Sequence, residues 1–495
     1  MDYGFLFSAF ETELQGRKLT RQRKLYECLR QAILGGKIAS GTRLMATRAL
    51  ADELRMARNS VIYAYERLTD EGFVITTRHG TVVARLGLPP MQAQAPAPAA
   101  EREPELAARV RGLQRERNVL DDMLPFRSGV PALSEFPLPQ WRMCMERALR
   151  TLGAQHLGYG HAQGHAPLRL AIAEYLKVSR GVRCTLDQVF ITDGTQSSLD
   201  LCARVLADSG DYAWLENPGY GGARSAFQSA GLQLVPVPVD ADGMAPGAAQ
   251  WQETRPKLIY VTPSHQYPLG SVLSLERRLQ LLEGARVAGA WIIEDDYDSE
   301  FRRDGPPLSA VQGLVADAPV IYLGTFSKTL FPALRLAFMV VPRNLAAPLA
   351  RTLGEIGRRG RLADQIALTE FIDSGLFAGH LRRMRKLYAQ RRDALLEALE
   401  RHLSQVVTVS GGAGGMHLSA RLNLPIEDTQ VSRAALAQGM VLQPISTYCL
   451  PGTSNGHYNG FMLGYAGVPA QDIDGLVRKL GGIIDTVSRY GEATR

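Results

Sequence analysis

The chain has 495 residues, enough for two to four domains. It is 45% hydrophobic and 21% charged, an ordinary globular composition, and no run approaches the roughly 18 consecutive apolar residues of a membrane-crossing helix, which argues against a membrane protein. The formal net charge is +7, and residues 1–85 hold 14 Lys and Arg against 9 Asp and Glu, a surplus of five that points to a nucleic-acid-facing module.

The start, "MDYGFLFSAFETEL", is apolar in patches but has no basic stretch before it and acids soon after, so no secretory signal is expected. Cys28, Cys144, Cys184, Cys202 and Cys449 are scattered and odd in number, without a C-x-x-C. That usage fits free thiols in a reducing, cytoplasmic setting rather than a disulfide framework or a zinc site, and no metal is expected.

"RQRKLYECLRQAILGGK" repeats apolar residues at Leu25, Leu29 and Ile33, with Cys28 and Ala32 beside them, and stops at Gly35-Gly36: a helix. "ATRALADELR" is a second, short helix and "MARN" a turn. "RNSVIYAYERLTDEG" is a third helix with Val61, Ala64, Tyr65 and Leu68 on one face, stopped by Gly72. "FVITTRHGTVVAR" alternates as two short strands around Arg78-His79-Gly80. Helices, a helix–turn–helix and a β-wing make a winged helix-turn-helix over residues 18–85. The helix after the turn enters the DNA major groove with its first residues at the base edges. Here those are Arg58, a donor fork for guanine, Asn59, an amide suited to adenine, and Ser60, a hydroxyl. Arg48 can reach phosphate, and Arg78 and His79 of the wing can reach the backbone or the minor groove.

Residues 86–122 form a linker, because "LGLPPMQAQAPAPAAEREPE" is too rich in Pro and Ala and too poor in large apolar residues for a core. A short helix could form within "ELAARVRGLQRER". No internal repeat is visible. Residues 123–490 read as α/β, with four apolar strands that end at unusual polar residues. These are "QVFITDGTQ", "KLIYVTPSHQYPLG", "AWIIEDDYDSEF" and "PVIYLGTFSKTL". In open α/β sheets, ligands bind beyond the carboxyl ends of the strands, so four such ends predict one site. Gly194 and Thr195 at a helix start offer backbone N–H groups and a hydroxyl to an anion, and Thr325, Ser327 and Arg335 add phosphate donors. Lys328 is the amine among these strand ends, suited to a Schiff base. A carboxylate at another end could pair with a pyridinium nitrogen. Phosphate cradle, lysine and acid together specify pyridoxal 5′-phosphate (PLP).

The motifs "ENPGY", "TPSHQYPLG", "EDDYDSEF" and "SKTLFPALRL" resemble those of the MocR/GabR family of bacterial transcriptional regulators. In that family a GntR-type winged helix precedes a fold-type I PLP aminotransferase-like large domain with a smaller α+β domain. The resemblance covers nearly the whole chain. It implies that Lys328 forms the Schiff base with PLP, Asp295 keeps the pyridine nitrogen protonated, Tyr297 contacts the ring's phenolic oxygen and Tyr220 stacks on the ring. It also implies that Gly194, Thr195, Gln196, Ser327 and Arg335 hold the phosphate. Tyr159 would reach the phosphate of a partner subunit, which implies a two-fold homodimer. The implied partners are double-stranded DNA with paired half-sites and a small effector, PLP itself or an amine.

Departures from the family pattern bear on the effector. Tyr267 stands where related aminotransferases place an Asn on the ring oxygen. Gly222 stands two residues after the stacking tyrosine, where amino-acid-sensing members can place an arginine. The stretch "YNGFMLGYAGV" has Asn459, Phe461 and Met462 where aminotransferases carry the substrate-carboxylate arginine. A carboxylate buried without a cation is costly, so an ordinary amino-acid substrate is disfavoured. Arg224, Arg358 and Arg359 are the candidate substitutes. The alternatives to a regulator are a working aminotransferase with a DNA-binding appendage and a PLP module whose N-terminal domain binds protein only.

Overall fold

The computed structural model describes residues 2–14, 19–85, 107–113, 123–303, 308–357, 360–411, 414–453 and 458–493. Most of the expected linker and the candidates Arg358 and Arg359 lie outside the described residues. The chain divides into two compact units, Met1–Glu105 and Leu106–Arg495.

In the first unit α2 (Arg21–Leu34), α3 (Thr47–Glu53) and α4 (Arg58–Asp70) precede a hairpin of β1 (Val74–Thr77) and β2 (Gly80–Val83). The apolar stripes do what their spacing requires. Leu25, Cys28, Leu29, Ala32 and Ile33 of α2 meet Val61, Ala64, Tyr65 and Leu68 of α4 in one core. The wing gains a third backbone rung. Arg43 bridges Val82, and the Leu44 N–H donates to the Thr81 carbonyl at 2.9 Å.

One element was not expected. Residues Tyr3–Glu13 form a helix, α1, capped by Asp2, whose side chain accepts from the Phe5 N–H at 2.8 Å. Tyr3, Phe7 and Phe10, spaced four and three apart, are buried in the winged-helix core. Glu53 of α3 accepts from the Tyr3 and Gly4 N–H groups at 2.9 and 3.1 Å, anchoring the start of α1. This unit therefore begins well before residue 18.

The second unit opens with α5 (Ala108–Arg111), α6 (Leu138–Thr151) and α7 (Ala166–Arg180). Its main sheet takes β3 (Val189–Thr192), β4 (Tyr212–Asn217), β5 (Gln233–Asp240), β6 (Gly243–Met244), β7 (Pro256–Val261), β8 (Trp291–Asp296), β9 (Val320–Thr325) and β10 (Ala337–Val340). Their order is β3-β10-β9-β8-β7-β4-β5-β6, parallel from β9 through β5, with β10 antiparallel to both its neighbours and β6 to β5. Strands β8 and β9 are buried along nearly their whole length. Their first halves read as apolar runs, residues 291–293 and 320–323, because both faces of such a sheet are covered. The intervening helices are α8 (Thr195–Leu206), α9 (Gly221–Ser229), α10 (Ala248–Glu253), α11 (Leu275–Ala288), α12 (Phe326–Thr329) and α13 (Arg343–Ile356). After α14 (Leu362–Asp373) and the long α15 (Leu376–Leu403) comes a smaller antiparallel sheet. It holds β11 (Val407–Ser410), β12 (His417–Leu422), β13 (Gln443–Pro444) and β14 (Gly460–Gly464) in the order β11-β12-β14-β13. It is flanked by α16 (Asp428–Ala437) and α17 (Ala470–Ala493). Among the described residues no helix is long and apolar enough to cross a membrane.

Because Phe7 is buried at the centre of the α1 stripe, Phe7→Ala is expected to lower the stability of the N-terminal unit by about 3 kcal/mol. Hydrogen exchange of α2 and α4 amides in the full chain measures it. A loss under about 1 kcal/mol would show that α1 is not part of this core.

Candidate functional site

The strand ends converge as the α/β topology demands. After β3 the chain turns at Gly194, with φ 100° and ψ 161°, straight into α8. That φ belongs to glycine, and a Cβ there would also lie 3.1 Å from the Arg335 guanidinium. So Arg335, itself held at φ 51°, sits against the N-terminus of α8. The first-turn N–H groups of Thr195 and Gln196, the helix dipole and a guanidinium make a site for a dianionic phosphate.

Strand β9 delivers Thr325, which caps α12 by accepting from the Ser327 N–H at 3.2 Å. One turn on, the Lys328 ammonium donates to the Gly129 carbonyl at 2.5 Å. Gly129 sits at φ 76°, which favours glycine, and a Cβ there would approach that nitrogen to 2.8 Å, so a side chain would strain the backbone and push the lysine end aside. Strand β8 contributes Asp295 from the middle of the sheet. One of its oxygens accepts from the Tyr260 hydroxyl at 2.8 Å, while Oδ1 is buried and has no partner. Burial pushes the Asp295 carboxyl up to about 7. The Tyr260 bond opposes the shift, Asp296 adds to it, and the charge of Lys328 works against it. A pyridinium N–H is the donor that Oδ1 lacks, and it would return the carboxyl to its charged form. The pocket residues fit PLP.

Alternation along β8 turns the neighbouring Asp296 the other way, into a buried ion pair with Arg180 at 2.7 Å. Tyr220 stands at the start of α9, its ring stacked 6.4 Å from Tyr260 and edge-on 5.6 Å from Tyr267. Gln196 donates to the Gly222 carbonyl at 3.0 Å. A side chain at 222 would strike the Tyr220 ring at 2.4 Å, so the arginine some relatives can carry there has no room. The Tyr297 hydroxyl donates to the His265 carbonyl at 2.9 Å and keeps lone pairs for a further donor. Tyr159 is 83% exposed in the single chain and packs in no core.

Where aminotransferases carry the carboxylate arginine, the strand is structural. Asn459 accepts from the Asp428 N–H and donates to the Ile426 carbonyl, each at 2.8 Å, and Phe461 and Met462 are buried. Arg224 donates to the Cys449 carbonyl at 3.3 Å. Sequence reasoning missed Gly129, Tyr260 and the polar side chains Ser128, Gln443 and Tyr448. Only the Ser-Gly pair before Val130 was a signal, and a weak one.

In the first unit Arg58 and Asn59 are exposed at the N-terminus of α4, with Ser60 half-buried. Arg58 reaches back to the Thr47 hydroxyl at 3.5 Å, and Arg48 is exposed one residue on. Arg78 and His79 are exposed at the tip of the β1–β2 wing.

An acid whose pKa rises on folding takes up a proton, so its contribution to stability falls as pH climbs from the unfolded to the folded value. For Asp295 that window runs from about 4 to about 7. In protein stripped of cofactor, Asp295→Asn is expected to flatten the loss of stability across that window, as urea midpoints at several pH values would show. Parallel curves for the two proteins would refute the protonated, buried Asp295.

Two families match the chain. They are the aminotransferases of class I and II over residues 121–480 and the bacterial regulatory proteins of the gntR family over residues 21–83. The probable rhizopine catabolism regulatory protein MocR of Rhizobium meliloti is 42% identical over 452 residues, 90% of each chain. The pyridoxine biosynthesis transcriptional regulator PdxR of Corynebacterium glutamicum is 30% identical over 94% of this chain and 95% of its own. Among solved structures, the α-aminoadipate aminotransferase LysN of Thermus thermophilus, complexed with N-(5′-phosphopyridoxyl)-L-leucine, is 30% identical. It covers 77% of this chain and 95% of its own, with a TM-score of 0.66. The large domain is a PLP-binding one of fold type I. The chain belongs to the MocR-type family of bacterial transcriptional regulators, in which a GntR-type winged helix is joined to an aminotransferase-like domain.

Proposed function

We propose that this regulator uses its PLP pocket as a sensor, and that a small amine or PLP itself is the signal that alters the hold of its winged helix on DNA. The observation that carries this reading is the buried Asp295 carboxyl, which among the described residues meets one neutral donor, Tyr260, and no salt bridge. It lies in a pocket with Lys328, in a chain that also presents Arg58 and Asn59 at a helix tip. PLP, when bound, supplies a Schiff-base carbon and an electron-withdrawing ring. The chain's own residues hold it. Arg335 and the N-terminus of α8 take the phosphate with Gln196, Thr325 and Ser327. Asp295 takes the ring nitrogen, Tyr220 covers a ring face, Tyr297 faces the phenolic oxygen, and Lys328 provides the amine. Phe461 and Met462, buried on β14, leave that strand without a cation for a substrate carboxylate, which supports sensing over turnover of ordinary amino acids.

In the assembly we propose, two chains pair, Tyr159 of each reaches the other's phosphate, and two winged helices meet paired half-sites on double-stranded DNA. Linking the two raises the effective concentration of the second winged helix. Arg58 and Asn59 read bases, Ser60 supports them, and Arg48, Arg78 and His79 hold phosphate or groove.

Lys328→Ala is expected to abolish the visible absorbance of bound PLP in a folded protein and to make affinity for the DNA upstream of its own gene indifferent to PLP. Wild-type affinity, measured at fixed salt, is expected to respond. A wild-type protein equally indifferent to PLP and to amines would overturn the sensor reading. Arg58→Ala is expected to weaken specific binding by about 1–3 kcal/mol, and unchanged operator affinity would mean that another residue reads the site.

A further inference from the structure

Four uncharged side chains form one hydrogen-bonded relay along the pocket. It begins at Tyr267, whose ring stands edge-on to both Tyr220 and Tyr297 at 5.6 and 5.8 Å. The Tyr267 hydroxyl donates to that of Tyr448 at 3.2 Å, and Gln443 Nε2 donates to the same oxygen at 3.0 Å. Gln443 Oε1 accepts from the Ser128 N–H at 3.2 Å and from its hydroxyl. The next residue is Gly129, whose carbonyl receives the Lys328 ammonium. The relay thus runs from the expected ring contacts to the reactive amine. It carries no formal charge, since burial pushes the Tyr267 hydroxyl well above its usual range. Met462 on β14 lies opposite both Gln443 and Ser419 in the small sheet and is fully buried, so the strand adds a thioether here and no cation.

We infer that this relay recognises a primary amine whose other polar groups are hydroxyls, and that Tyr267, Tyr448, Gln443 and Ser128 select it over an α-amino acid. The inference rests on the reading that the Lys328 pocket is the effector site, and it names the effector's chemical class. A hydroxyl both donates and accepts, as the hydroxyl and amide groups of the relay do, so it can join the chain of bonds without leaving a member unpaired. A carboxylate only accepts, and burial against uncharged groups penalises it. Arg127 is the rival reader. It precedes Ser128, is half-buried, and its charge acts on Tyr267.

The test uses the full-length, PLP-loaded protein and two probes that differ at one group. These are L-serine and serinol, in which a hydroxymethyl group replaces the carboxylate. Titration is followed by the visible absorption of the bound cofactor, which needs no DNA and so stands apart from the regulator reading. Serinol is expected to half-saturate at a concentration at least about tenfold below that of L-serine. Gln443→Leu and Tyr448→Phe are expected to erase that preference while retaining cofactor absorbance, which shows them folded. L-serine acting at equal or lower concentration overturns the inference. Loss of that response in Arg127→Met would then assign the carboxylate to Arg127. A spectrum that neither probe changes overturns it as well, while a PLP response of DNA affinity would survive.

Discussion

The cofactor pocket depends on one expensive arrangement, a carboxyl near the end of a buried strand that meets one neutral donor, Tyr260, and no salt bridge among the described residues. An unpaired buried polar atom costs on the order of 1–3 kcal/mol, and more when charged. A fold retains such a group only if something else completes it. The neighbouring acid shows the contrast. Asp296 is equally buried and its Oδ1 likewise has no partner among the described residues, but its Oδ2 accepts from Arg180 at 2.7 Å and from the Tyr322 hydroxyl, so its charge is paired. Asp295 has only the neutral Tyr260 hydroxyl on one oxygen, with no partner on the other and no salt bridge among the described residues. Strand alternation puts the two acids on opposite faces, so Asp296 pairs with Arg180 while Asp295 feels the charge of Lys328, where the proposed cofactor ring would lie.

From that constraint the rest of the pocket follows. A ring whose nitrogen meets Asp295 needs its phosphate at a fixed remove, and the turn at Gly194 brings a helix N-terminus and Arg335 there together. In the proposed site its aldehyde carbon takes an amine from Lys328, on α12 directly after β9. The Lys328 ammonium is held by the Gly129 carbonyl. Four strands and one incoming loop cooperate because parallel strands all end at the same edge.

Much of this was legible in the sequence because it is local. The stripes of α2 and α4, the β-turn-β wing and the polar residues that close apolar strands are all read within ten or so positions. What was not legible is long-range. Tyr260 looks like any aromatic in a buried strand until β7 is laid beside β8. Ser128 and Gln443, 315 positions apart, meet only through the small sheet. Gly222 reads as a missing arginine, whereas the structure gives it a steric reason, since the Tyr220 ring occupies the space. Helix α1 is hidden for another cause. Its stripe of Tyr3, Phe7 and Phe10 has helical spacing, but Phe5 and Leu6 blur it, and an apolar start of this kind reads first as a question about a signal.

The placement of the relay also bears on how a ligand could act at a distance. A ligand changes a conformational equilibrium only through different affinity for its two states. Tyr267 belongs to the loop after β7 of the main sheet, while Gln443 and Tyr448 belong to the small sheet and the turn after β13. Hydrogen bonds along the relay therefore join the main sheet to the small sheet of the same domain. A molecule that enters the chain of bonds exchanges layer-to-layer contacts for layer-to-ligand ones, and its binding energy depends on the spacing between the layers. The cofactor, which in the proposed site would be held almost wholly by strand ends of the main sheet, would not be under that constraint. Cofactor binding and effector selectivity can then vary independently. That is why a chain can lack the arginine of β14 and still keep Lys328, Asp295 and Arg335 in place.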